Sequence, residues 1–173
     1  MNSKIRNTAF VGLMAAVVAV VSVWQIPLPF LGGPLTFQTF AVCLAGAALG
    51  RWRGTLSVFV YIALGCVGLP VFTGFQGGLG VLAGPTGGFI IGFLALAFLS
   101  GLAKGKRLRV SVLLSLLGLL LCHGLGGVYF AFVTGQGIFQ SFLVCCAPYM
   151  IKDGAFCFLA VLLARLLLKR RIV

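Results

Sequence analysis

Of the 173 residues, 61% are hydrophobic and only 8% are charged, against about 45–50% and about 25% in soluble domains. That balance excludes an ordinary soluble domain and predicts an integral membrane protein. The charge is one-sided: thirteen Lys and Arg face a single acidic side chain, Asp153, with one His, for a net charge of +12. One acid rules out any mechanism built on a carboxylate pair.

In chain order, Lys4 and Arg6 precede a first apolar segment, 8–24, which is too long for a signal-peptide core and lacks a small-residue cleavage site after it. It reads as a retained helix. Gly12, Ala15, Ala16 and Ala19 lie on it as two overlapping small-xxx-small pairs. Such pairs allow close approach of another helix, either within the bundle or from a second protein. Further apolar segments follow at 36–50, 54–70, 86–102, 110–133 and 150–168, each close to the roughly 20 residues that a bilayer core requires. They leave no room for a separate soluble domain, so one six-helix transmembrane bundle over 1–173 is expected.

Arg51 and Arg53 separate the second and third segments, and Lys104, Lys106, Arg107 and Arg109 the fourth and fifth. Arg165, Lys169, Arg170 and Arg171 close the chain. The connections 25–35, 71–85 and 134–149 carry no formal charge. The positive-inside rule then places both termini in the cytoplasm and the uncharged connections outside. This distribution also argues against nucleic acid as the partner of the positive charge. The exception is Lys152, which sits beside Asp153 at the expected outer end of the last segment.

The outer connections are rich in Gly, Pro and aromatic residues, as in "QIPLPFLGGPLTFQTF" and "GLPVFTGFQGGLGVLAGPTGGF". Non-helical backbone at membrane depth must be packed on protein or line a cavity. A folded cap over a pocket is predicted. Helix N-termini are expected near Thr36, Thr86 and Asp153, where they serve as simple caps or as an anion site.

The remaining chemistry is sparse. The six cysteines form no C-x-x-C pair and lie in apolar surroundings, as small hydrophobes do. Cys122 and His123 are neighbours about 100° apart on a helix, so a shared metal site is not expected and His123 is read as a core or interhelical residue. No G-x-S-x-G elbow occurs, and "GLAKGKR" at 101–107 has the wrong glycine spacing for a phosphate loop. The chain is therefore expected to be no enzyme, to need no cofactor, and to lack an ATPase site. No polar stripe marks a channel. An ionisable residue inside a membrane segment marks a functional site by default, and Asp153 is that residue.

"GGPLTFQTFAVCLAGAALG", "GTLSVFVYIALGCVGLPVFTGFQGGLGVLAGPTGGFIIGF" and "PYMIKDGAF" together resemble the BioY family, the biotin-binding substrate (S) components of energy-coupling-factor (ECF) vitamin transporters. The resemblance implies a six-helix bundle in the bacterial inner membrane that captures biotin at the outer face. It also implies docking on a transmembrane coupling protein that carries two ATPase subunits. Ala15 and Ala19 match the A-x-x-x-A pattern by which such components meet the coupling protein, with Gly12 and Ala16 beside them.

Asp153 matches an Asp of the family pattern at the start of the last helix. That pattern usually has a Lys three residues later, where this chain has Phe156; either Lys152 takes the role, or it moves to Gln76 or another residue of the cap. The implied chemistry is a carboxylate accepting the ureido N–H groups of biotin. Phe37, Tyr61, Phe72, Phe75 and Tyr149 are the candidates for the apolar wall. The valerate carboxylate is expected near Thr86 or Lys152.

Overall fold

The computed structural model describes residues 3–26 and 34–170. The proline-rich part of the first outer connection, 27–33, lies outside the described residues. Helix α1 (Ser3–Val23) leads through a two-residue strand pair, β1 (Gln25–Ile26) antiparallel to β2 (Leu35–Thr36), into α2 (Gln38–Leu49) and α3 (Arg51–Cys66). A short α4 (Leu79–Ala83) precedes α5 (Gly87–Leu102). Then come α6 (Leu108–Thr134), α7 (Ile138–Cys145) and α8 (Ala147–Lys169). Six of the eight coincide with the six apolar segments. The other two, α4 (Leu79–Ala83) and α7 (Ile138–Cys145), correct the expectation of non-helical backbone in the uncharged connections.

Helix α6 shows the sorting rule of the bundle. Leu113, Leu117, Leu121, Val128 and Phe132 are exposed, whereas Ser111, Ser115, Gly118, Cys122, His123 and Gly126 are buried. Large apolar side chains face outward and small or polar ones face inward, the reverse of a helix packed in water. Among the described residues, two helices are long and apolar enough to cross a bilayer: α1 over Ile5–Val23, and α6. Helix α2 has only twelve residues, of which eleven are buried. It is the central strut, packed against α1, α3, α5 and α8. Wrapped on all sides, it is shielded from whatever surrounds the bundle.

Close helix contacts explain its small residues. A Cβ on Gly46 would lie against the Ala97 backbone carbonyl of α5, and one on Gly54 of α3 would meet the Ala45 carbonyl oxygen at 2.6 Å. The turn from α2 to α3 runs through Gly50 at φ 89°, a conformation that β-carbon-bearing residues avoid.

Two expectations about helix starts are corrected. Thr36 is in β2, not at a helix cap, and α2 starts at Gln38. Asp153 is not at a helix N-terminus: α8 starts at Ala147, with Pro148 in its first turn, where proline's missing N–H costs nothing. Asp153 therefore sits about 9 Å along the helix from Ala147. Thr86 does occupy the N-cap position of α5, but its side chain makes no capping bond.

Gly46→Val tests the α2–α5 approach. The added side chain must force the helices apart, and an overpacking cost of about 1–3 kcal/mol is expected as a lowered melting temperature of the purified protein.

Candidate functional site

The connection between α3 and α4 folds back over one end of the bundle. Gly74 N–H donates to the Val23 carbonyl at 3.2 Å, and Phe72 N–H donates to the Gln76 carbonyl at 2.9 Å. Beneath this cap lies a cavity of about 350 Å³, within the range of small-molecule sites. Its wall mixes two kinds of side chain. Phe72, Phe89, Ile90, Phe93 and Leu119 are apolar, while Gln38, Thr73, Gln76, His123, Lys152 and Asp153 are polar or charged.

The polar part is organised by Asp153, which is 4% exposed. One carboxylate oxygen, Oδ1, lies 2.7 Å from Lys152 Nζ, and the other, Oδ2, lies 3.2 Å from His123 Nε2. An ionised carboxylate only accepts, so the imidazole donates from Nε2. Lys152 Nζ also donates to the Thr36 carbonyl at 2.9 Å, and it sits 5.7 Å and 5.3 Å from the ring centres of Tyr149 and Phe156. One ion pair thus joins α8, α6 and β2. Each carboxylate oxygen has two lone pairs, so the carboxylate keeps acceptor capacity beyond these two partners.

A second polar relay holds the other wall. Gln38 Nε2 donates to the Tyr61 hydroxyl at 2.7 Å, and Thr73 Oγ1 donates to Gln38 Oε1 at 3.2 Å. Tyr61 is fully buried behind Phe72, edge to face with ring centres 5.7 Å apart. Gly65 leaves the space that the Phe72 ring fills.

Of the residues singled out from sequence, Asp153, Lys152, Gln76, Thr86, Phe72 and Tyr149 line this cavity. Tyr61 supports the wall without reaching the cavity. Phe37 and Phe75 do not line it either: Phe37 is largely exposed and stacks on Phe156 at 5.2 Å, and Phe75 projects outward from a left-handed backbone at φ 59°. Gln38, Thr39, Thr73 and Phe89 were not singled out, and His123, read as a core or interhelical residue, also faces the cavity. An amide inside an apolar segment is the signal that would have found Gln38.

The small residues of α1 divide between two faces. Ala15 is buried in the bundle at 2% exposure and Ala19 is half-buried, whereas Gly12 and Ala16 are exposed, with open space beside Gly12.

A bundle with apolar outer faces, closed at one end over a cavity with a buried acceptor, defines a membrane protein built around a small-molecule pocket. The chain matches the family model described as "BioY family" over residues 1–172 and belongs to that family. It is 45% identical over 140 residues to the biotin transporter BioY of Rhodobacter capsulatus, covering 77% of this chain and 73% of that one. It is 42% identical over 144 residues to the probable biotin transporter BioY of Pyrococcus horikoshii, covering 83% and 86%. Among solved structures, the S-component for biotin from an ECF-type ABC transporter superposes with a TM-score of 0.88 at 28% identity, covering 97% of this chain and 93% of that one.

Tyr61→Phe is expected to lower the melting temperature, since it leaves the buried Gln38 amide without its acceptor, at a cost of about 1–3 kcal/mol. An unchanged melting temperature would show that the relay contributes nothing to the wall.

Proposed function

We propose that this chain is the biotin-capturing S component of an ECF transporter, a single bundle over 1–173. It takes the vitamin from the outer face and is energised by a separate coupling protein with two ATPase subunits. The observation that carries the reading is Asp153, buried in a ligand-sized cavity and held from two sides in a member of the BioY family. Family relatives named as biotin transporters, and the biotin S-component among solved structures, support biotin as the ligand.

In this reading six helices cross the bacterial inner membrane with both termini in the cytoplasm. Arg51 and Arg53 at the start of α3, the basic turn between α5 and α6, and the end of α8 with Arg165 and Lys169 form one basic end. The cavity lies toward the other, which fits positive-inside placement with an outward-facing pocket. The chain itself performs no bond chemistry and needs no cofactor.

The mechanism of capture rests on complementarity. The ureido ring of biotin carries two N–H donors and a carbonyl acceptor. Asp153 offers charged acceptors, and Lys152 beside it offers a donor and a positive field. The fused ring and aliphatic chain lie against Phe72, Phe89 and Tyr149, and Gln38, Thr73 and Gln76 remain for the polar ends. Because the site is desolvated, an analogue without the ureido donors leaves the carboxylate underpaired and binds weakly.

Purified protein is expected to bind labelled biotin without ATP; a folded preparation with no saturable binding ends the assignment. Asp153→Asn removes the charge and turns an NH₂ toward a donating ligand. A lost bond to a charged group is worth roughly 1.5–3 kcal/mol, so affinity should fall roughly ten- to more than a hundredfold. Lys152→Ala should weaken binding as well. Lower melting temperatures with unchanged affinity in both variants would reduce the pair to a structural brace.

The exposed pair Gly12 and Ala16 is the face of α1 open to a coupling helix. Ala16→Trp is expected to abolish ATP-dependent uptake in cells while leaving biotin binding intact. Ala15→Leu, at the buried position, should instead lower stability. Loss of uptake in Ala15→Leu with normal stability, and none in Ala16→Trp, would move the interface to the Ala15 and Ala19 face.

A further inference from the structure

At the end of the bundle away from Asp153, α2, α8 and the α5–α6 turn enclose a second cavity of about 590 Å³. Val161, Leu162 and Leu168 give it an apolar wall, and Lys104, Lys106, Arg165 and Lys169 stand around it. Among the described residues the four cations have no internal counter-ion. The single acidic side chain is Asp153, twelve residues from Arg165 on the same helix, about 18 Å away, and it is already paired with Lys152.

This basic cluster is built into the fold. Arg165 Nη1 donates to the Lys106 carbonyl at 2.7 Å, which fixes the α5–α6 turn against α8. Ser111 Oγ secures the same turn through the Ala103 carbonyl at 3.1 Å. Lys104 is half-buried, and its pKa is lowered by burial and then by the nearby Arg53. Lys106, Arg165 and Lys169 are exposed; like charges gathered around one hollow still repel one another, and a bound anion relieves that repulsion. A small free anion would neutralise the rim and leave the apolar wall empty, whereas an amphiphile satisfies both.

We propose that this cavity seats an anionic phospholipid, with its phosphodiester among Lys104, Lys106, Arg165 and Lys169 and an acyl chain along α8. Basic pockets between helices at the positive side of a membrane protein have the chemistry for such headgroups. The inference rests on the membrane placement of the bundle and not on its ligand. The full chain in phosphatidylcholine nanodiscs is the reference state.

Adding phosphatidylglycerol is expected to raise the melting temperature and to leave one retained phosphatidylglycerol in native mass spectra. Replacing Lys104, Lys106 and Lys169 together by Gln should weaken that retention on the order of a hundredfold. Replacing Arg107, Arg109 and Arg170 by Gln removes the same charge outside the cavity and should leave retention intact. Equal losses in the two triple variants would overturn the site in favour of general surface attraction. Inorganic phosphate reproducing the shift in phosphatidylcholine discs would overturn the lipid in favour of a free anion. Loss of ATP-dependent uptake with no phosphatidylglycerol effect would instead make this surface a protein interface. If the first triple variant shows no cooperative melting, Lys104→Gln alone should still weaken retention about fivefold, and unchanged retention there overturns the proposal.

Discussion

A carboxylate withdrawn from water inside a bundle of apolar helices has to be compensated where it sits, and the compensation of Asp153 organises the capped end of this protein. Lys152 answers one oxygen and His123 the other. These partners come from different parts of the fold: Lys152 is itself bonded to β2, and His123 belongs to α6. The hairpin, the last helix and the long fifth apolar segment are thereby tied to one point. Breaking a buried pair from one side leaves an uncompensated charge at a cost far above what the pair contributes when intact. The position of each of these elements is therefore constrained by the electrostatics of one side chain. The cavity forms where they meet.

The rest of the architecture follows from a second constraint, that helices without a hydrophobic drive between them associate through close packing. Gly46 and Gly54 let backbones approach until no β-carbon fits, and Gly65 admits the Phe72 ring. The two cavities described lie at opposite ends of the bundle, away from the tight seams through α2. They differ in chemistry because the charges differ. The cavity at the capped end is lined by one acid, one cation and several amides or hydroxyls, whereas the charged residues lining the opposite cavity are all cations.

Much of this was legible in the sequence because membrane helices advertise themselves through composition and through the spacing of their basic residues. The segments 8–24, 86–102 and 110–133 became α1, α5 and α6 within a few residues. Asp153 stood out because it has no competitor. What the sequence concealed was the start of α8: Ala147 and Pro148 read as loop, so Asp153 was expected at a helix end and lies nearly two turns inside. The aromatic wall was partly misassigned for a similar reason. Phe37 and Phe75 sit in the aromatic-rich cap, but which way a turn points its side chains is set by backbone angles such as the positive φ of Phe75, which composition does not encode. His123 is the buried core or interhelical residue that the sequence suggested, bonding from α6 to α8, but the sequence did not show which residue it meets. Its partner is thirty residues away in sequence, and only the fold brings them together.

The departure at Phe156 has a geometric resolution in the helix itself. Successive residues on a helix are about 100° apart, so positions 152 and 156 differ by about 40° and by one turn. A cation moved from three residues after the Asp to one residue before it stays on nearly the same face, one turn nearer the cap. From there the long side chain of Lys152 reaches both Asp153 and the carbonyl of Thr36. The vacated position is filled by an aromatic ring, and Phe156 stacks on Phe37 while lying under the Lys152 ammonium. The arrangement is coherent on both sides: Lys152 keeps the carboxylate, and the Phe156 ring packs beside the ammonium. In the proposed reading, Lys152 rather than Gln76 takes the role that the resemblance gives to a lysine. Gln76 lines the same cavity but has no positive charge to hold an ionised Asp153 in an apolar wall.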